Sequence, residues 1–200
     1  MGTRNVIQVV CDGETKVSQY GQWDGYPEGQ GSDVFEFLKE NKDKLNAFLG
    51  RVRALIEIGE ESYKAKWVEC GAKPDEDWVS TKVSDVFEKR YPHLSRNCGA
   101  KVLQLIQDGV VTEVALDKVF VNNSLFCEWA YVIDLDKLTF EVYEGYQKEP
   151  HRAGRFSKEE PNEGGYYPVK HVCTFDLGAL PDTKEEFVSV VESFLPDEEE

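Results

Sequence analysis

The segment from Gln22 to Ser32 reads Gln-Trp-Asp-Gly-Tyr-Pro-Glu-Gly-Gln-Gly-Ser and leads into an amphipathic stretch carrying Val34, Phe37 and Leu38. Glycines just ahead of a helix leave backbone N–H groups uncovered, and the helix dipole adds positive potential, so such a turn can hold a phosphate or a carboxylate. Other residue types oppose the familiar versions of that site. Asp24, Glu28 and Asp33 bring negative charge, no Lys follows the glycines as a P-loop needs, and Gly29-Gln30-Gly31 is only part of a dinucleotide fingerprint. Arg4 is the one cation that the preceding hairpin brings close. The candidate ligand-binding surface is therefore Thr3, Arg4, Gln22, Asp24 and Tyr26, joined by Glu28, Gly29, Gly31 and Ser32 from the turn. The plainer alternative is a strand-to-helix turn whose glycines supply φ values that other residues avoid.

Three further groups have the right chemistry on paper. Thr3 heads a strand, the arrangement of N-terminal-nucleophile hydrolases, but removal of both Met1 and Gly2 would be needed. Glu128, Glu141 and Tyr143 form a polar set on a later hairpin, suited either to acid–base work or to a solvated sheet face. His151, Arg152 and Arg155 lie in a long loop that can close over an anion, although Glu149, Glu159 and Glu160 balance their charge. Arg96, placed where a helix is expected to begin, opposes the helix dipole. The five cysteines are widely spaced with no CxxC pair, and the three histidines are not in ligand spacing with them, so neither a metal nor a cofactor is expected. No metalloprotease, nucleophile-elbow or EF-hand motif occurs.

These residues need elements to position them. Asp12-Gly13 between two β-rich runs predicts a hairpin of Asn5–Cys11 with Glu14–Trp23; continued without interruption, its register sets Thr3 against Gln22 and Arg4 against Gly21. Ser32 is the expected N-cap of a helix whose stripe runs from Val34 to Ile56, with a break near Asn41 to Asp43. Helices are expected over Glu60–Cys70, Thr81–Arg90 and Ser95–Asp108, the last ended by Gly109. A second hairpin, Phe126–Leu135 with Leu138–Tyr146, turns at Asp136-Lys137; its core face is Cys127, Trp129, Tyr131 and Ile133 with Leu138, Phe140 and Val142. A strand at Tyr166–Phe175 follows, and Thr183 to Glu186 opens a last helix with a capping box. Strands joined by hairpins predict an α+β fold, mainly antiparallel, with helices packed on one face. One domain over residues 1–195 and an acidic tail over 196–200 are expected.

A composition that is 40% hydrophobic and 12% aromatic can bury a real core. The net charge of −15 disfavours direct nucleic-acid binding, and −7 of it falls between Pro181 and Glu200, which leaves the rest of the chain only mildly acidic. No signal peptide, membrane span or myristoylation motif is read, and reduced thiols fit a cytoplasmic protein.

Met1-Gly2-Thr3-Arg4, the run Gln22 to Gly29, Leu94-Ser95-Arg96 and the run Ser124 to Leu135 resemble a family of uncharacterised proteins from bacteriophages and bacteria. The resemblance implies a phage or bacterial accessory protein working inside a bacterial cell, and carries no catalytic residue with it. Three functions follow as expectations: a binding module for an anionic small molecule such as a nucleotide, an acidic protein that inhibits a host factor by binding it, or a hydrolase using a carboxylate or an N-terminal nucleophile.

Overall fold

The structure is a computed structural model that describes residues 2–74, 78–158 and 160–196. The chain is α+β. Strands β1 (Asn5–Cys11) and β2 (Glu14–Gly21) form the first hairpin, and β5 (Trp129–Asp134) and β6 (Thr139–Glu144) form the second. With β7 (Lys170–Asp176) they make a five-stranded sheet in the order β2-β1-β5-β6-β7. Every neighbouring pair is antiparallel except β1 and β5, which run parallel. The chain leaves the sheet at its β2 edge, builds its helical region, and re-enters on the far side of β1. A connection of that length permits a parallel neighbour, which no hairpin can.

The hairpin at Asp12-Gly13 forms as expected, with Asp12 and Gly13 both at positive φ. Its register is not continuous. Val10 pairs with Thr15 but Val9 pairs with Val17, so Lys16 is extra and forms a bulge. Asn5, not Arg4, therefore faces Gly21. The second hairpin holds its expected register throughout, with Tyr131 opposite Val142 and Ile133 opposite Phe140.

Helices α1 (Ser32–Glu40) and α2 (Leu45–Arg53) split where Asn41 caps the carbonyl of Phe37, as the break in the stripe predicts. Ile56 leaves the stripe, being exposed in the short strand β3 (Ile56–Glu57), which pairs in parallel with β4 (Glu113–Val114). Helices α3 (Glu60–Glu69) and α4 (Thr81–Arg90) follow expectation, but α5 (Lys101–Gln107) starts six residues later than Ser95. Gly99 at φ +50° is where the intervening turn bends. At α6 (Lys184–Glu192) the Thr183 hydroxyl accepts the Glu186 amide, and the Glu186 carboxylate accepts the amide of Asp182 rather than that of Thr183.

Helices α1, α2, α5 and α6 cover one face of the sheet through Val34, Phe48, Leu103 and Phe187, which meet Ile7, Tyr131 and Phe140. The other face is not solvated. Val121, Val169 and the half-buried Phe120 and Phe156 cover Val6, Ala130, Val132 and Tyr143. Cys127 belongs to this second cluster, because the chain around it turns rather than extending β5. A third, aromatic cluster joins α3 to α4, with Trp67 stacked on Phe87 at a centroid distance of 3.7 Å. No helix among the described residues is long and apolar enough to cross a membrane.

Candidate functional site

The glycine-rich loop spends its amides on itself. Gly29 and Gly31 donate to the carbonyl of Tyr26 at 3.1 and 3.2 Å, Gln30 donates to Asp24 at 2.8 Å, and Gly25 donates to Thr3 at 3.0 Å. Ser32 is not the N-cap: its hydroxyl donates to the Pro27 carbonyl at 2.8 Å, and Gly31 caps the helix without a side chain. The central strand holds the loop from below, through a Tyr131 hydroxyl that donates to Gly25 at 2.8 Å. Thr3 is buried at 5% exposure.

The close packing explains the glycine at 29. A Cβ there would lie 2.2 Å from the backbone oxygen of Asp24, so Gly29→Ala is expected to cost about 1–3 kcal/mol. Gly50, inside α2, has open space around it. Gly50→Ala is expected to gain about 0.5–1 kcal/mol, and paired urea melts check both signs.

The expected surface divides in two. Arg4 lies against the second hairpin: its amide donates to Glu128 at 3.1 Å, its guanidinium sits 4.6 Å from the centre of the Phe126 ring, and its Nε has no hydrogen-bond partner among the described residues. Tyr146 donates to the other Glu128 oxygen at 3.1 Å. Gln22 and Asp24 instead line a cavity of about 290 Å³ with Arg96, Lys101 and Asp33. Burial first, then the neighbouring Glu36, pushes the Asp33 carboxyl above its ordinary value.

Arg96 is the residue that sequence reasoning undervalued. The Gln22 amide donates to its carbonyl at 2.9 Å, which fixes its backbone beside the end of β2. Its side chain is exposed and makes no hydrogen bond or ion pair with any described residue. It lines three adjoining cavities. Besides the one at Gln22, a cavity of about 630 Å³ lies between Arg96, the β2 edge at Ser18 to Tyr20, and Glu60, Tyr63 and Asp117. Another of about 460 Å³ lies between Arg96 and Tyr63, Trp67 and Trp78. Burial raises the Tyr20 phenol above its usual value, and the nearby Arg4 and Arg96 charges partly offset this. The signal available in the sequence was Arg96 itself, a cation where a helix start disfavours one. Tyr63 and Trp67 of α3 carry no motif in the sequence that separates a packed ring from one that also lines a cleft.

The other polar groups are engaged elsewhere. Arg155 reaches from the long loop to Asp134 at 2.7 Å and to both oxygens of Glu141, which also accepts the Tyr143 hydroxyl. Burial pushes both carboxyls up, but the hydrogen bonds and charge of Arg155, joined by the Lys137 amide and charge at Asp134 and by the Tyr143 hydroxyl at Glu141, together outweigh it and leave both below their ordinary range. Glu128 is separate, paired with Arg4 and Tyr146, so Glu128, Glu141 and Tyr143 do not form one site. His151 bonds the Pro168 carbonyl. Cys11, Asp12 and Asp136 approach one another closely enough to share an ion. Asp12 is held at two oxygens by Arg53, and Asp136 accepts the amides of Asp12 and Gly13 at 2.8 Å each, so one hairpin turn braces the other.

The fold and site define an α+β protein with a cleft between its sheet edge and an aromatic helical lobe, centred on an arginine that has no ion-pair partner among the described residues. Comparison of the chain with protein-family models, with curated proteins and with solved structures finds no match.

Proposed function

We propose that the protein is a binding module for an anionic small molecule, with Arg96 as the anchor for the charge. The observation that carries this reading is the placing of Arg96 at the meeting of three cavities with no acidic partner among the described residues. In a chain of net charge −15, a cation left without a counter-ion among the described residues in a concave site is suited to an external one. A guanidinium recognises phosphate and carboxylate in a planar, two-pronged geometry, which suits this position. Gln22 and Asp24, expected at the site from sequence, line the adjoining cavity. The provenance as a phage or bacterial accessory protein rests on the sequence resemblance.

Thermal melts of the full chain against phosphate, pyrophosphate, citrate and a set of nucleotides test the reading. A ligand at 100 times its dissociation constant adds about 2.7 kcal/mol, which in a chain of this size raises the melting temperature by roughly 5–10 °C. Arg96→Ala is expected to abolish that rise while leaving the unliganded melt within about 0.5 kcal/mol, as befits an exposed side chain. The reading fails if no anion gives a rise, or if the rise survives Arg96→Ala.

A further inference from the structure

We propose, on the strength of that reading of Arg96, that the ligand is a ribonucleoside monophosphate. Its base would lie in the chamber of Tyr63, Trp67 and Trp78, and its single phosphate would sit on Arg96. Three features of the cleft lead there.

The first is the surplus of aromatic surface. Trp78 is 74% exposed, although a Trp ordinarily buries most of its ring, and it borders a chamber whose other wall is Trp67. Phe87 covers one face of Trp67 in parallel, at an interplanar angle of 4°, and Tyr63 meets both rings edge-on. The aromatic stack is thus fixed from behind and ends on the cavity. A flat heteroaromatic ring extends such a stack, whereas an aliphatic acid leaves Trp78 as exposed as before.

The second is the polar rim of the same chamber. Thr81 and Ser84 line it. Their hydroxyls can each donate or accept, which is what the edge of a base requires.

The third is the distribution of acids beyond Arg96. Along the sheet edge the next cavity carries Glu60 and Asp117 with no cation besides Arg96, and toward the glycine loop the other carries Asp24 and Asp33, two acids against the single further cation Lys101. A chain of phosphates extended past Arg96 in either direction meets carboxylates. One phosphate is satisfied at Arg96 and a second or third is repelled, so the cleft selects monophosphates over triphosphates.

Calorimetric titration of the full chain decides it, using the four common ribonucleoside 5′-monophosphates, their triphosphates without magnesium, the parent nucleosides and inorganic phosphate. At least one monophosphate is expected to bind tenfold or more tightly than phosphate, than its nucleoside and than its triphosphate. Trp78→Ala is expected to weaken that monophosphate about tenfold and leave phosphate binding unchanged, while Arg96→Ala brings it down to the level of the nucleoside. Phosphate or citrate binding through Arg96, with no gain from any base, overturns the nucleotide assignment and leaves the anion reading standing. Nucleoside binding that equals monophosphate binding and ignores Arg96→Ala overturns both. A triphosphate that binds more tightly, indifference to Trp78→Ala, or silence from all four monophosphates overturns the assignment made here to the chamber and the single charge.

Discussion

Arg155→Met is expected to cost about 3 kcal/mol at pH 7, because it takes the bridging guanidinium from two buried carboxylates and leaves Asp134 only the exposed Lys137. Asp134 and Glu141 are 2% and 8% exposed, on adjacent strands, and the guanidinium of Arg155 bridges them. Removing one member of a buried pair typically costs about 3–5 kcal/mol; the lower end applies, since about a fifth of the Arg155 side chain, 21%, faces water. The pH dependence gives the mechanism away. In the native protein both carboxyls titrate below their unfolded values, so they stabilise the fold above about pH 4.5, and that contribution is lost as the pH falls through their folded values. In Arg155→Met the burial that raises both carboxyls is opposed only by the Asp136 and Lys137 amides and the Lys137 charge at Asp134 and by the Tyr143 hydroxyl at Glu141, so both carboxyls rise from their native values and acid relieves part of the penalty. The gap between native and variant stability is therefore expected to be widest near pH 7 and to shrink below about pH 4. Urea melts at pH 7 and pH 3.5 measure it; a gap that is small at pH 7 or constant with pH removes the charge network as the reason the long loop lies on the sheet.

This network also shows what the sequence displayed and what it hid. Residues Glu141 and Tyr143 were assigned correctly to the face opposite Tyr131 and Ile133, since strand alternation fixes sides. Alternation says nothing about what arrives later to cover a side. The cover comes from Phe156 and Val169, in or beyond a loop with no periodicity of its own. The hairpin at Asp136-Lys137 was legible in its register, although its strands are shorter than expected, Trp129–Asp134 and Thr139–Glu144, and Leu138, expected on the core face, lies 53% exposed in the turn at φ +56°. The hairpin at Asp12-Gly13 was legible in its turn only, because a single bulged residue, Lys16, has no signature that separates it from a paired one. Arg96 was misread for a similar reason. Its place depends on where α5 begins, and the Gly99 bend that delays the helix moves Arg96 out of a helix start and into the mouth of a cleft. Tyr63, Trp67 and Trp78 are separated in sequence and join only through the packing of α3 on α4, a contact between elements that no local pattern encodes.

Phe187→Ala is expected to have the largest effect on stability of any single change considered, about 3–5 kcal/mol and a fall of roughly 10 °C in melting temperature. Phe187 is fully buried and is the only large aromatic of α6 among the described residues to reach the sheet; Phe194 beyond it is 62% exposed. Its ring stacks on Phe35 of α1 at 5.1 Å and on Phe140 of β6 at 5.6 Å, and tilts against Phe175 of β7 at 5.3 Å. One side chain thus ties a helix to another helix and to two strands. Alanine there opens a cavity whose walls belong to three elements and cannot close without moving one of them. Phe194→Ala is the comparison, expected within about 0.5 kcal/mol. Phe187→Leu keeps most of the volume and loses the ring, so it is expected to fall between, the difference from Phe187→Ala reporting filled space and the remainder reporting ring geometry. The same variant separates fold from function. The chamber of Tyr63, Trp67 and Trp78 beside Arg96 is built from α3, α4 and the segments flanking α4, whereas the rings that Phe187 meets lie in α1, β6 and β7, so Phe187→Leu below its melting temperature is expected to bind ligand with native affinity. A loss of affinity in that variant would tie the cleft to the closing helix and require a coupling through α1 and the glycine loop on which α6 rests.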